Sequence, residues 1–119
     1  MRVNFNQAFK DYDGTNVTET VEVIEQVNID GVIKDVPVQK KRDKMISSTV
    51  SSILFLGQGC EKAEEKMKAF DLSQRIYKAT SDIEISTEEA SFIKTHISKA
   101  LIAGAYAQVV YLLENNTKE

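Results

Sequence analysis

The chain has 119 residues, a formal net charge of −3 and an apolar fraction of 42%, which suit one ordinary globular domain. The acidic balance disfavours a nucleic-acid-binding protein, whose surface would be strongly basic. Cys60 is the single cysteine, so no intrachain disulfide is available and a reducing compartment is favoured. No apolar run follows Arg2, and we therefore expect no secretory signal of the usual kind and a cytoplasmic protein.

The first twelve residues fit two kinds of element. Val3 and Phe5 alternate with polar residues as in a short strand, whereas the apolar residues from Phe5 to Tyr12 are also spaced as on one face of a helix. Both interpretations stay open at this point. Residues 11–14 then have the composition of a turn, because Asp and Gly tolerate the backbone angles that a turn requires.

Residues 21–38 carry the clearest strand signal and predict a β-hairpin. Asp30-Gly31 supplies a two-residue turn that suits the twist of paired strands. This turn places Val23 opposite Val38 and most of the apolar side chains on one face, which we expect to belong to the core. Pro37 cannot donate a ladder hydrogen bond and indicates an edge strand or a strand end. Because an isolated hairpin is marginal in water, we expect this one to lie on helices, on the N-terminal segment or on a neighbouring subunit.

Three helices are predicted after the hairpin, over residues 44–56, 61–78 and 85–114. The second is expected to bury an apolar stripe consisting of Ala63, Met67, Phe70, Ile76 and Tyr77. Ile83 and Ile85 alternate with acidic residues, which suggests a short extended link. The third helix has a capping box, because the Ser86 hydroxyl is followed three residues later by the Glu89 carboxylate.

The third predicted helix is apolar on every side between Ala100 and Leu113, apart from Gln108. A helix of this kind must be covered all round, and a chain this small has few other elements with which to cover it. We therefore predict a homo-oligomer whose interface lies on this helix, at Leu101, Ala105, Tyr106, Val109 and Leu112.

Together these elements predict an α+β fold: an N-terminal β-hairpin followed by a three-helix, mainly helical C-terminal bundle. We expect a single domain over residues 1–119, with a hairpin region at 1–39 and a helical region at 40–115. The chain contains no internal repeat that would suggest another architecture.

A dense basic patch follows the hairpin. Its four cations are a candidate contact for an anion or a partner protein, and they are Lys40, Lys41, Arg42 and Lys44. The simpler interpretation is a solvated entrance to the first helix.

No residue pattern indicates catalysis or metal binding. His96 is the only histidine, and no nucleophile motif is placed beside it in the sequence. Cys60 precedes a predicted helix, where the helix dipole lowers a thiol pKa, but no base stands at an evident spacing. One cysteine and one histidine cannot build a zinc tetrahedron, so we predict no catalytic, cofactor-binding or metal-binding residues.

The C-terminal half resembles a known group of proteins. The runs Phe70-Asp-Leu-Ser-Gln-Arg-Ile-Tyr77, Ile83-Glu-Ile-Ser-Thr-Glu-Glu89, Ile93-Lys94 and Gln108-Val-Val-Tyr-Leu-Leu-Glu114 are similar to small, mostly uncharacterised proteins of tailed bacteriophages and prophages. The resemblance implies a phage or prophage origin and a location in the bacterial host cell. It implies no catalytic residues.

The preferred function is a non-enzymatic protein–protein interaction module that binds and inhibits a bacterial host or defence protein through its hairpin and acidic surface. One alternative is a self-associating protein of virion morphogenesis or assembly. A second is a nucleotide or small-molecule sink formed between subunits, which would use residues 40–44 with Tyr106 and Tyr111.

Overall fold

The computed structural model describes residues 1–57 and 59–115. The predicted α+β class is confirmed, but the described part contains four helices instead of three. No helix among the described residues combines the length and the apolar character needed to cross a membrane. In chain order the elements are β1 Arg2–Val3, β2 Thr18–Ile29, β3 Val32–Asp43, α1 Ile46–Leu56, α2 Ala63–Lys78, β4 Ile83–Glu84, α3 Thr87–Ile97 and α4 Ala103–Asn115.

The long helix predicted over residues 85–114 is two helices separated by residues 98–102. The Ile97 carbonyl accepts from the N–H groups of both Ala100 and Leu101, at 3.1 Å each, and the Ser98 hydroxyl donates to the Thr95 carbonyl. The Leu101 bond is the last of the α-helical kind, whereas the Ala100 bond is of the i→i−3 kind that tightens the last turn of a helix, and the Ser98 hydroxyl competes for a carbonyl of the same turn. The reversal lets α3 and α4 contribute to one core, through Ile93, Ile97, Val109 and Leu113.

The N-terminus forms a strand, and the helical interpretation of residues 5–12 is wrong. β1 pairs with β4 in antiparallel fashion, so that Val3 lies opposite Ile83. The predicted extended link around residues 83–85 is thereby confirmed as a strand. Val3, Phe5 and Ile85 are all buried in the same core, which explains why two short segments so distant in sequence stay together.

The face that α2 buries differs from the predicted one. Ile76 is buried as predicted, together with Ala69, Leu72 and Ser73, whereas Met67 and Tyr77 are 69% and 66% exposed. The periodicity of this helix fits two apolar stripes, and the stripe with the smaller side chains is the buried one. Since α1 also buries serines, at 47 and 51, small side chains on both helices permit close approach of their backbones.

The N-terminal segment caps α1. This helix has no side-chain cap at its start, where the first N–H groups of a helix lack partners inside it. The Gln7 carbonyl accepts from the Ile46 N–H at 2.8 Å, and the Phe5 carbonyl accepts from the Ser47 N–H at 3.0 Å. Backbone groups of the N-terminal segment thus do the work that a Ser or Asp cap does elsewhere.

Gln108 joins α4 to the same segment. Its Oε1 accepts from the Lys10 N–H at 2.7 Å, and its Nε2 donates to the Lys10 carbonyl at 2.8 Å and to the Gly104 carbonyl at 3.1 Å. The side-chain amide therefore satisfies both backbone groups of one residue, as a paired strand would. This contact explains the single polar side chain in the apolar run.

Replacing Gln108 by leucine should lower the free energy of unfolding by about 1–2 kcal/mol, because both Lys10 backbone groups lose a protein partner. Urea denaturation measures the change. Gln74→Leu is the matched control, since Gln74 is half-buried on a helix and makes no side-chain hydrogen bond within the described residues. Equal effects of the two substitutions would contradict the role given to Gln108.

Arg75 holds α2 against the start of α3. Its Nη1 lies 2.5 Å from the Glu89 Oε2, and its Nη2 donates to the Glu84 carbonyl at 2.6 Å. Glu89 also closes the predicted capping box with Ser86, in both directions. Burial raises the pKa of Glu89, but the hydrogen bonds from Ser86 and the neighbouring Arg75 outweigh it, so the net pKa is lowered.

This lowered pKa predicts a loss of stability in acid. A carboxyl with a lower pKa in the folded than in the unfolded chain stabilises the fold fully above its unfolded pKa, about 4.3 for glutamate, and this contribution disappears as pH falls through the folded pKa. Glu89→Gln should therefore flatten the dependence of unfolding free energy on pH below about 4.3. Glu88→Gln, on the exposed side of the same turn, should keep the wild-type slope in urea titrations at several pH values.

Candidate functional site: the projecting hairpin and the cleft at its root

The hairpin has the turn and the register predicted from the sequence. Asp30 and Gly31 have φ angles of 50° and 81°, and two positive values define a type I′ turn. Val23 pairs with Val38 as expected, and the ladder continues to the pair of Thr18 with Asp43. The hairpin is therefore longer at its root than the predicted residues 21–38.

The hairpin does not form part of the core, and that prediction is wrong. None of its residues from 18 to 43 is buried, and Ile24 and Ile33 are 64% and 68% exposed. Valines on the predicted core face are only half-buried, at 21, 23, 36 and 38. An alternating pattern indicates two unlike faces, but it does not specify a neighbour that covers one of them.

The hairpin projects from the helical body. A strand of 12 residues spans about 40 Å at about 3.3 Å per residue, and the longest dimension of the molecule is 59 Å. Backbone hydrogen bonds fix its root. Phe9 N–H donates to the Lys44 carbonyl, Val17 N–H donates to the Phe9 carbonyl and Lys44 N–H donates to the Val17 carbonyl, all at 2.8–2.9 Å.

Two of the four cations in the predicted anion contact are paired within the hairpin. Lys40 forms an ion pair with Glu25, and the Arg42 Nε lies 2.8 Å from the Glu19 Oε2. Both pairs cross from β3 to β2 on the face that carries the valines. Three of the four cations lie on β3, and the glutamates of the neighbouring strand balance the charge of two of them.

The other two cations point elsewhere. Lys41 belongs to the opposite face of β3, as its position between Lys40 and Arg42 requires, and Lys44 follows the strand. Neither makes an ion pair with any residue that the structure describes. The four predicted contact residues are therefore not gathered into one anion site.

A cleft of about 710 Å³ lies at the root of the hairpin. Its lining includes Phe9 and Val17 from the root, and Leu101 and Ile102 from the link that precedes α4, with Lys44 beside them. The lining is mainly apolar and the volume suits a small ligand or a few side chains of a partner. Of the residues in the predicted subunit sink, Lys44 lines this cleft, while Tyr111 lines a separate groove beside Gln108.

The five residues of the predicted oligomer interface face largely inward. Val109 is fully buried in the core of a single chain. The other four are half-buried and pack against that core: Leu101, Ala105, Tyr106 and Leu112. The outward side of α4 carries other residues, including the exposed Tyr111. An oligomer that uses the five named residues stays a prediction.

The fold brings together Cys60 and His96, which are 36 positions apart and share no sequence motif. The Cys60 Sγ lies 3.8 Å from the His96 Nδ1, and the His96 ring contacts the ring of Phe92, with 4.2 Å between the ring centroids and an angle of 46° between the ring planes. Burial raises the pKa of the Cys60 thiol, with a further contribution from the charge of Glu65. A raised pKa favours the thiol, whereas a nucleophilic cysteine requires the thiolate.

Cys60 should therefore react slowly with iodoacetamide at neutral pH, and its alkylation rate should rise at a more alkaline pH than that of an unfolded cysteine peptide. The reason is that the raised pKa keeps the thiolate fraction low. Mass spectrometry across a pH series measures the rate. Fast alkylation at neutral pH that disappears in His96→Ala would instead reveal an activated cysteine–histidine pair.

No protein-family model, no curated protein and no solved structure matches this chain. The similarity to phage and prophage proteins therefore stays a prediction.

Proposed function

We propose that this protein is a non-enzymatic protein–protein interaction module whose binding element is the projecting hairpin. The observation that carries the proposal is that a ladder of twelve residue pairs contains no buried residue. An isolated two-stranded hairpin is marginal in water. A long one that adds nothing to its own core is best explained by a partner that covers it.

The distribution of apolar side chains supports a protein partner. Ile24 and Ile33 are exposed on one face of the ribbon, and valines are half-exposed on the other. The valines form a continuous patch, because Val23 lies opposite Val38. The next residues on that face include Val21 on β2 and Val36 on β3. Continuous exposed apolar patches are typical of binding surfaces on soluble proteins. The cleft at the root offers the same partner a second, concave contact.

The rigid root supports the proposal as well. Three backbone hydrogen bonds join Phe9, Val17 and Lys44, so the ribbon leaves the body in a defined direction. A binding element that is already ordered loses less conformational entropy on association. The predicted class of partner is a bacterial host or defence protein, and inhibition would follow if the ribbon occupied that protein's working surface.

The assembly alternative has less support, because the apolar residues assigned to self-association are largely used within one chain. Val109 is buried and Leu112 packs on the same core. A self-associating protein would need another surface.

Shortening the hairpin tests the proposal. Deleting residues 22–27 and 34–39 removes six facing pairs and keeps both the Asp30-Gly31 turn and the alternation of the remaining strand. Because none of the deleted residues is buried, the thermal midpoint of the helical body should stay within a few degrees of the wild type. Bacterial proteins captured by the wild-type protein should be lost, as measured by quantitative mass spectrometry of pull-downs.

Met67→Glu is the control, since Met67 is exposed on α2 and lies outside the proposed surface. It should capture the same proteins as the wild type. Capture that is unchanged after shortening, in a protein that still unfolds cooperatively, would refute the hairpin as the binding element.

A further inference from the structure

We infer that the outer edge of β2 is the docking edge of the hairpin, and that it accepts an extended, basic segment of the partner as a third strand. This inference rests on the proposed function and deepens it. Its basis is an asymmetry between the two edges that follows from the register.

The register decides which backbone groups point outward. In an antiparallel ladder, pairs that exchange hydrogen bonds alternate with pairs that do not. The two-residue turn closes on the pair of Ile29 with Val32, which is hydrogen-bonded in such a turn. The same alternation makes the residues of positions 17 and 44 a bonded pair, and the Lys44 N–H does donate to the Val17 carbonyl at 2.8 Å.

The even-numbered residues of β2 therefore direct their N–H and C=O groups away from β3. All six are exposed, and no backbone hydrogen bond joins them to a described residue outside the hairpin. They offer an uninterrupted row of donors and acceptors to an added strand. The six residues are Thr18, Thr20, Glu22, Ile24, Gln26 and Asn28.

The outer edge of β3 is interrupted in its middle. Pro37, the only proline, lies opposite Ile24 and so occupies a position whose nitrogen faces outward. A proline there leaves the hairpin intact but removes one donor from the edge, which is a common protection against strand addition. Of the two edges, β2 is the one that can accept a complete ladder.

The charge of β2 indicates which side chains an added strand should carry. β2 contains Glu19, Glu22 and Glu25 and no cation. Glu19 and Glu25 are paired with cations of β3, whereas Glu22 lies opposite Gln39 and makes no ion pair with a described residue. A strand beside β2 that places a lysine or arginine next to Glu22 gains an opposite-charge neighbour.

A second copy of the chain is a poor occupant of this edge. Pairing β2 with β2 of another copy would bring six glutamates into one four-stranded sheet, and like charges on neighbouring strands are destabilising. Pairing β2 with β3 of another copy would place Pro37 in the new ladder, where it has no N–H to donate. Val21 and Val23 are half-exposed on the face of β2 opposite to Glu22, so the expected partner segment alternates apolar residues, which contact these valines, with basic or small polar residues, which lie next to Glu22.

Two substitutions that face each other across the ladder test the edge. Gln26→Pro removes an outward donor from β2, and Asp35→Pro, at the residue paired with it, removes one from β3. Both positions have the geometry of Pro37, so both variants should keep the hairpin and the thermal midpoint. The probe is a synthetic nonapeptide of alternating valine with lysine or threonine, and a version with glutamate in place of lysine is its control.

Amide hydrogen exchange followed by NMR gives the readout. In the free protein the amides of Val21, Val23 and Glu25 should be protected and those of Glu22 and Ile24 should exchange rapidly. The lysine peptide should protect the second set. Gln26→Pro should weaken peptide binding at least tenfold, Asp35→Pro should not change it, and Glu22→Lys should weaken it and reduce its dependence on salt.

The inference fails if the lysine peptide gives no protection at millimolar concentration, if the glutamate peptide protects equally, or if Asp35→Pro weakens binding as much as Gln26→Pro. The proposed function has a separate test. Proteins that are lost on hairpin shortening but retained by Gln26→Pro would leave the hairpin as the binding element and remove only the strand-addition mode.

Discussion

The N-terminal segment is the constraint on which the rest of the structure depends. Its backbone carbonyls at Phe5 and Gln7 complete the start of α1, and Phe5 and Phe9 are buried in the core. The Phe9 backbone forms hydrogen bonds with Val17 and Lys44 at the hairpin root. The Gln108 side-chain amide, on α4, forms hydrogen bonds with both backbone groups of Lys10. One irregular stretch therefore sets the position of two helices and the direction of the ribbon.

This arrangement separates the body from the ribbon energetically. The body shares one core, to which β1, the N-terminal segment and all four helices contribute, whereas the ribbon contributes no buried residue. The hydrophobic contribution to stability scales with the apolar area removed from water. Substitutions along the ribbon should therefore change the free energy of unfolding far less than substitutions in the body.

Turn and capping residues predicted the position of an element well where neighbours in the chain alone determine that position. Asp30-Gly31 determines the turn, and the turn determines the register of the whole ladder. Ser86 with Glu89 forms the predicted capping box, and α3 begins at Thr87, two residues after the predicted start at residue 85. α2 and α1 begin within two residues of the predicted positions, because capping and turn signals involve only neighbours in the chain.

Features decided by distant contacts could not be predicted in this way. The Cys60–His96 contact joins residues 36 positions apart, and Gln108 reaches a partner 98 positions away. The break before α4 depends on whether a reversal of the chain buries more apolar surface in the core than a continuous helix would. The face of α2 depends on the serines of α1. Periodicity reports that apolar faces exist, and tertiary packing decides which of them is covered.

The two edges of the ribbon show the same distinction between local and global signals. From the sequence alone, Pro37 indicates an edge strand or a strand end. The register adds that its nitrogen faces the outer edge of β3. Both strands are edges, and only one of them carries the proline. A hairpin that had to avoid strand addition altogether would need protection on both sides. Protection of β3 alone, beside a β2 edge that is acidic and uninterrupted, restricts addition to one side and to strands of opposite charge. Such one-sided protection is expected of a surface that must accept one partner and refuse copies of itself.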